Sequence, residues 1–88
     1  MQKNANSKKT PQTDEGQIRA HIGAMLKACR KERGLTLEQI PYEIQISRRA
    51  YGAWERAVQL PRLDLLIKLA NFYGVPIVAF FELGKAKP

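Results

Sequence analysis

The stretch 36–56, TLEQIPYEIQISRRAYGAWER, constrains the fold of this 88-residue chain most, because it predicts two short helices joined by a tight turn. Thr36 followed by Gln39 fits a capping box, which starts the first helix. Ser47 can cap the second helix in the same way. In the second helix one group of apolar residues recurs at helical spacing and predicts a core-facing side. Its members are Ala50, Tyr51 and Trp54.

The opposite side of the second helix carries residue types that suit a nucleic acid. Two arginines occupy its first turn and small residues its second, so this side can approach another surface closely. Arginine matches phosphate oxygens and guanine edges. The residues on this side are Arg48, Arg49, Gly52, Ala53 and Arg56.

With its flanks, the stretch resembles the helix-turn-helix of the Cro and phage-repressor type, also called the xenobiotic-response-element family. The resemblance covers roughly residues 18–83 and includes LKACRKERGLT before the stretch and WERAVQLPRLDLLIKLANFYGVPIVAFF after it. It implies an all-α fold, a compact five-helix bundle of the lambda-repressor-like type. It also implies a bacterial or phage origin, and a recognition helix at about 47–56 that enters the major groove of double-stranded DNA.

The resemblance further assigns roles to individual side chains. The residues expected nearest the bases are Ser47, Arg48, Arg49, Gly52 and Ala53. The expected phosphate contacts are Arg56, Arg62 and Thr36. In the family an arginine at the position of Arg30 pairs with the glutamate at the position of Glu55, and this pair is structural, not catalytic. The implied function is that of a dimeric transcriptional regulator, a repressor or an activator that occupies an operator.

The chain departs from the family pattern at positions that set DNA docking. Pro41 stands inside the first helix of the motif, where it removes an amide hydrogen bond and kinks or shortens the helix. Gln45 and Ala57 stand where glycine is usual, and Leu37 where many members carry a phosphate-binding glutamine. An alternative function, a protein-interaction module on a helix-turn-helix scaffold, is supported by Pro41, Gln45 and Leu37, which sit where docking geometry is set. Examples of such a module are an antitoxin and a regulator that acts through a partner protein.

Charge also points to a polyanionic partner, because 15 basic and 8 acidic residues give a net charge of +7. Residues 1–17 are polar and too poor in large apolar side chains to order themselves. They are expected to be either a solvated tail or a disordered basic arm that follows DNA through Lys3, Lys8 and Lys9. The domain would then occupy 18–83, and 84–88 would be a solvated tail.

The C-terminal part of the domain is unusually apolar. A helix is predicted from Leu63 to Tyr73 with Gly74 as its cap, and a short helix PIVAFFEL follows. In the first of these, one stripe is expected to serve the core, namely Leu63, Leu66, Ile67 and Ala70. The remaining apolar surface is either further core or a homodimer interface. The interface candidates are Leu65, Leu69, Phe72, Val78 and Phe81.

The chain shows no sign of catalysis, of a cofactor or of a metal site. The single Cys29 and the single His21 have no partners at metal-ligand spacing, and Cys29 continues the apolar side of a helix predicted over about 17–33. No nucleophile stands beside a base, and there is no glycine-rich phosphate loop. No apolar run approaches a membrane span or a signal peptide, so a cytoplasmic protein is expected.

Overall fold

The computed structural model describes residues 14–40 and 44–83, which form helices joined by short loops. The predicted all-α class is confirmed for these residues. The predicted count of five α-helices is not confirmed, because two of the expected helices are short 3₁₀ helices. Residues 1–13 of the expected arm and the tail 84–88 lie outside the described residues. The elements are α1 (Glu15–Glu32), the scaffold turn (the 3₁₀ helix Leu37–Gln39), α2 (Arg48–Glu55), α3 (Leu63–Tyr73) and the C-terminal turn (the 3₁₀ helix Ile77–Phe81).

Helix α1 begins two residues earlier than the sequence analysis predicted. Asp14 caps it: Oδ1 of Asp14 accepts from the Gln17 amide at 2.8 Å, and Oε1 of Gln17 accepts from the Asp14 amide at 3.2 Å. This reciprocal capping box satisfies two amide groups at the helix start. At the other end Gly34 takes the left-handed conformation, with φ 69°, as expected of a glycine after a helix.

The helix predicted to start at Thr36 is a single 3₁₀ turn. The Thr36 amide donates to Oε1 of Gln39 at 2.8 Å, which is the predicted glutamine half of a capping box. The turn ends at Ile40, whose ψ of 133° is extended. Because a proline disfavours helical backbone in the residue before it, Pro41 accounts for this early end. Pro41 itself is outside the described residues.

A single apolar core joins all five elements. Two tyrosine hydroxyls meet inside it at 2.6 Å, those of Tyr51 on α2 and Tyr73 on α3. The Tyr51 hydroxyl also donates to the Leu26 carbonyl at 3.1 Å, so both polar tips are satisfied. Burial raises the pKa of both tyrosines, which stay neutral. The buried cluster consists of Ile22, Leu26, Ile40, Ile44, Tyr51, Trp54, Leu66, Leu69, Ala70, Tyr73 and Phe80.

Helix α3 has the predicted bounds, but it is rotated relative to the prediction. The buried side is Leu66, Leu69, Ala70 and Tyr73. The expectation that Leu63 and Ile67 face the core is wrong, because both are exposed. A helix that is apolar nearly all round has no unique inner side. Here the rotation brings the Tyr73 hydroxyl to Tyr51 and buries Leu69 completely.

Two residues at positions where the resembled family favours glycine adopt left-handed backbone. Gln45 has φ 62° in the turn before α2, and Ala57 has φ 64° in the turn after it. The Arg19 side chain donates from Nε to the Ala57 carbonyl at 3.1 Å and helps to hold that second turn. A side chain at such a φ costs roughly 1–2 kcal/mol.

We therefore expect Ala57→Gly to raise the free energy of unfolding by about 0.5–1 kcal/mol, since relief of strain exceeds the entropy that glycine adds to the unfolded chain. For a domain of this size the melting temperature should rise by a few degrees. Thermal unfolding followed by circular dichroism measures the shift. The control is Ala20→Gly, the same change at an exposed position inside α1, which should lower stability by a similar amount. A lower melting temperature for Ala57→Gly would contradict the assignment of strain.

Candidate nucleic-acid interface

The first turn of α2 presents a polar, basic surface to solvent. Ser47 is the N-cap: its Oγ accepts from the Ala50 amide at 3.0 Å, as predicted. Arg48 and Arg49 follow as the first two helical residues, and all three side chains are exposed. The structure thus brings three of the five expected base-contacting residues together at one accessible helix end. In helix-turn-helix proteins it is this end of the recognition helix that contacts base edges.

The other two expected base contacts, Gly52 and Ala53, are buried, so the prediction that they form an open surface is wrong. A Cβ atom on Gly52 would lie 3.1 Å from Nη1 of Arg56 and 3.9 Å from Cδ1 of Leu37. The Arg56 side chain and the scaffold turn therefore cover Gly52. Ala53 is only 8% exposed. Small size at these positions serves close packing of α2 rather than an approach to bases.

Arg48 forms an ion pair that the sequence analysis missed. Its Nε lies 2.7 Å from Oε2 of Glu38 on the scaffold turn, and each side chain is 63% exposed. Hydrogen bonding to its own backbone amide, followed by the charge of Arg48, holds the pKa of Glu38 below its usual range. No sequence pattern could have found this pair, because its partners lie ten residues apart on two separate elements.

The expected phosphate contacts occupy the ends of helices around α2. Arg56 is the C-cap of α2 and is exposed, and Arg62 is the N-cap of α3. Nη2 of Arg62 lies 2.7 Å from Oδ2 of Asp64, and the hydrogen bond from Arg62 lowers the pKa of Asp64. Thr36 is exposed at the start of the scaffold turn. All three side chains are accessible, as a phosphate contact requires.

An ion pair joins Arg30 on α1 to Glu55 at the end of α2. It is bidentate, with Nε to Oε2 at 2.7 Å and Nη2 to Oε1 at 2.9 Å. Nη1 of Arg30 also donates to the Leu35 carbonyl at 2.8 Å. The side chains are 13% and 8% exposed. The hydrogen bonds to Glu55 raise the pKa of Arg30, so this pair stays charged and joins α1 to α2.

Only two of the five expected dimer-interface residues are exposed, Val78 at 51% and Phe81 at 44%. Leu69 is completely buried and cannot take part, which corrects the prediction. Leu65 and Phe72 are half-buried and pack against the core, and the Arg33 guanidinium lies 5.2 Å from the centre of the Phe72 ring. Other exposed large apolar side chains follow α2 and line one side of α3, namely Val58, Leu60, Leu63 and Ile67.

The described residues offer no cluster of metal-ligating side chains beside these surfaces. Cys29 is half-buried against the core, and burial, then the charge of Glu32, raises the pKa of its thiol. Nε2 of His21 lies 2.9 Å from the Ala79 carbonyl oxygen, which connects α1 to the C-terminal turn. Within 14–40 and 44–83, no group of three histidine, cysteine or acidic side chains is placed to hold a metal ion. None of the helices described in those ranges is long and apolar enough to cross a membrane.

Comparison with known proteins agrees with this geometry. A family model described as helix-turn-helix matches residues 26–80. The cryptic phage CTXphi transcriptional repressor RstR of Vibrio cholerae is 40% identical over 56 residues, which cover 64% of this chain and 50% of that protein. The uncharacterized HTH-type transcriptional regulator YobD of Bacillus subtilis strain 168 is 38% identical over 52 residues, 59% of this chain and 46% of its own length. The chain thus spans about half the length of the curated relatives it matches. No solved structure gives a significant match.

Proposed function

The chain belongs to the helix-turn-helix family of the Cro and phage-repressor type, and on that premise we propose that it binds specific sequences in double-stranded DNA and regulates transcription. The observation that carries the proposal is the exposed first turn of α2, where Ser47, Arg48 and Arg49 stand together. The two relatives, named as a transcriptional repressor and a transcriptional regulator, support the same class of function.

In the proposed complex the N-terminal end of α2 enters the major groove. Arg49 has no ion-pair partner among the described residues, so its guanidinium can donate two parallel hydrogen bonds to O6 and N7 of a guanine. Arg56, Arg62 and Thr36 contact phosphates and fix the register of the protein on the duplex. The Arg30–Glu55 pair holds α2 against α1, which keeps the recognition helix at a fixed angle.

We further propose that the protein acts as a homodimer on an inverted repeat. Val78 and Phe81 expose apolar side chains on the C-terminal turn, and a second copy of the chain would bury them. A two-fold dimer places its recognition helices in successive major grooves, so the centres of the half-sites lie roughly one helical turn of DNA apart. Occupying such a site would block or recruit the transcription machinery.

Arg49→Ala and Arg62→Ala should separate base contacts from phosphate contacts. For Arg49→Ala we expect a loss of about 1–3 kcal/mol on the preferred sequence, where a bidentate guanine contact is removed, and a smaller loss on random DNA, where Arg49 contacts only phosphate. Arg62→Ala should weaken binding to all sequences alike and reduce the salt slope by about one phosphate contact. Fluorescence anisotropy with preferred and random duplexes at several salt concentrations measures both effects. Equal losses for both variants on both duplexes would contradict these roles.

The function itself is tested by selecting duplexes that bind the purified protein from a random-sequence pool, at low and at moderate salt. Enrichment of an inverted repeat is the expected result and also supports the dimer. Enrichment of a single half-site would support sequence-specific binding by a monomer. If no sequence is enriched and retention vanishes as salt rises, the net charge of +7 supplies only non-specific attraction.

The last outcome would favour the alternative, a protein-interaction module on this scaffold. One observation supports that alternative: burial of Gly52 and Ala53 leaves only the first turn of α2 for contact with bases. The exposed apolar side chains of the C-terminal turn would then contact a partner protein rather than a second copy. Binding through such an apolar surface should barely change with salt, whereas DNA binding falls steeply as counterions are released.

A further inference from the structure

The ion pair between Glu38 and Arg48 places a carboxylate on the surface proposed to face DNA. It connects the scaffold turn to the first residue of α2 across 2.7 Å, and both side chains are 63% exposed. A pair this exposed adds little to the stability of a fold. A carboxylate beside a phosphate backbone also opposes binding. Because the Glu38–Arg48 pair stabilises the fold little, we look for its effect in the proposed complex with DNA.

The contact atoms show what the pair does to Arg48. Glu38 contacts Arg48 at Nε, so a carboxylate on that side leaves the terminal nitrogens Nη1 and Nη2 available to another acceptor. Because the guanidinium is planar and its donors form a fixed fork, a carboxylate at the Nε side restricts the directions in which the terminal N–H groups can point. Two terminal N–H groups side by side match O6 and N7 of guanine.

We propose that Glu38 is a specificity-determining positioning residue that holds Arg48 for a guanine and withholds it from phosphates. The inference rests on the proposed function and goes beyond it, because it assigns sequence preference to a residue outside the recognition helix. On random DNA an unrestrained Arg48 would turn to the nearest phosphate and strengthen binding without regard to sequence. With Glu38 present, Arg48 exchanges a carboxylate for a phosphate when it moves to the DNA backbone, so the exchange adds little binding free energy.

The test is Glu38→Gln, with Asp64→Asn as the matched control. Both carboxylates are exposed and lie 2.7 Å from an arginine, and each substitution raises the net charge by one. The readouts are the ratio of dissociation constants for random and preferred duplexes and the salt slope on random DNA. For Glu38→Gln we expect the ratio to fall about tenfold and the slope to steepen by about 0.9, one additional phosphate contact. Asp64→Asn should strengthen binding to both duplexes alike and leave the ratio unchanged.

A second comparison shows whether Glu38 acts through Arg48. In an Arg48→Ala background, Glu38→Gln should no longer change the ratio. Arg48→Lys provides an independent variant: lysine keeps the charge without the fork, so it should lower the ratio by itself and make it insensitive to Glu38. Circular dichroism melts establish that each variant is folded.

Two results would overturn the inference while leaving the proposed function intact. In one, Glu38→Gln strengthens binding to both duplexes equally, as Asp64→Asn is expected to do. Glu38 would then act only through its negative charge and not by positioning Arg48. In the other, the ratio falls by the same factor with and without Arg48. A wild-type protein that enriches no sequence in the selection would instead overturn the proposed function, and this inference with it.

Discussion

Replacing Glu55 with alanine is expected to lower the free energy of unfolding by about 3 kcal/mol, because the nearly buried Arg30 guanidinium then has no charged partner. The wild-type carboxylate accepts two hydrogen bonds from Arg30, at 2.7 and 2.9 Å, and only 8% of the Glu55 side chain is exposed. About 3 kcal/mol is a large part of the stability of so small a domain. Urea denaturation followed by circular dichroism measures the loss.

The matched control for Glu55 is Glu15→Ala, which removes the other glutamate that pairs with an arginine of α1. Oε2 of Glu15 lies 3.1 Å from Nη1 of Arg19, but the glutamate is 67% exposed. Its removal should cost less than about 1 kcal/mol, and salt should diminish that cost further. Equal losses for the two glutamates would show that the Arg30–Glu55 pair does not act as a buried pair.

The parts of the fold that the sequence predicted correctly have local causes. Helix α3 begins and ends where predicted, since Pro61 lies before it and Gly74 supplies the left-handed cap. Helix α2 follows its serine cap, and the shortening of the preceding helix follows from Pro41. Each of these features depends on the backbone preferences of one or two residues, which a sequence displays directly.

The rotation of α3 could not be predicted from the sequence, because periodicity gives no unique inner side to a helix with apolar residues all round. Leu63 and Ile67 are as apolar as Leu66 and Leu69, yet only the last two are buried. Tertiary contacts choose between them: the buried side is the one that carries Tyr73 to Tyr51 and packs against Phe80.

The candidate site shows the same division between local and tertiary causes. The sequence predicts the exposed positions of Ser47, Arg48 and Arg49 because a cap and two arginines at a helix start are a local pattern. The burial of Gly52 and Ala53 is not predicted because small side chains give no hydrophobic signal, and only the packed structure shows that both are buried and that Arg56 and Leu37 lie against Gly52. The Glu38–Arg48 pair depends on how two elements meet, so it was invisible in the sequence.

Gly23→Ala should be nearly as damaging as the loss of Glu55, with an expected net cost of about 2 kcal/mol. A Cβ atom at Gly23 would lie 2.5 Å from the Trp54 carbonyl oxygen and 2.9 Å from that of Glu55. Both neighbours are backbone atoms of α2, so relief requires the two helices to move apart. Overpacking of this kind typically costs 1–3 kcal/mol or more, and the helix propensity of alanine offsets only about 1 kcal/mol of that. Chemical denaturation gives the loss.

Gly16→Ala is the control, since it makes the same change in the same helix where the new Cβ would meet only side-chain atoms, at 3.5 and 3.7 Å. Alanine should be neutral or stabilising there by up to about 1 kcal/mol. Gly23→Ala acts at the joint between α1 and α2, so under the proposed function any folded fraction of this variant should also bind the preferred duplex less tightly. A variant with wild-type stability and wild-type DNA affinity would mean that α1 and α2 tolerate a wider separation than the structure shows.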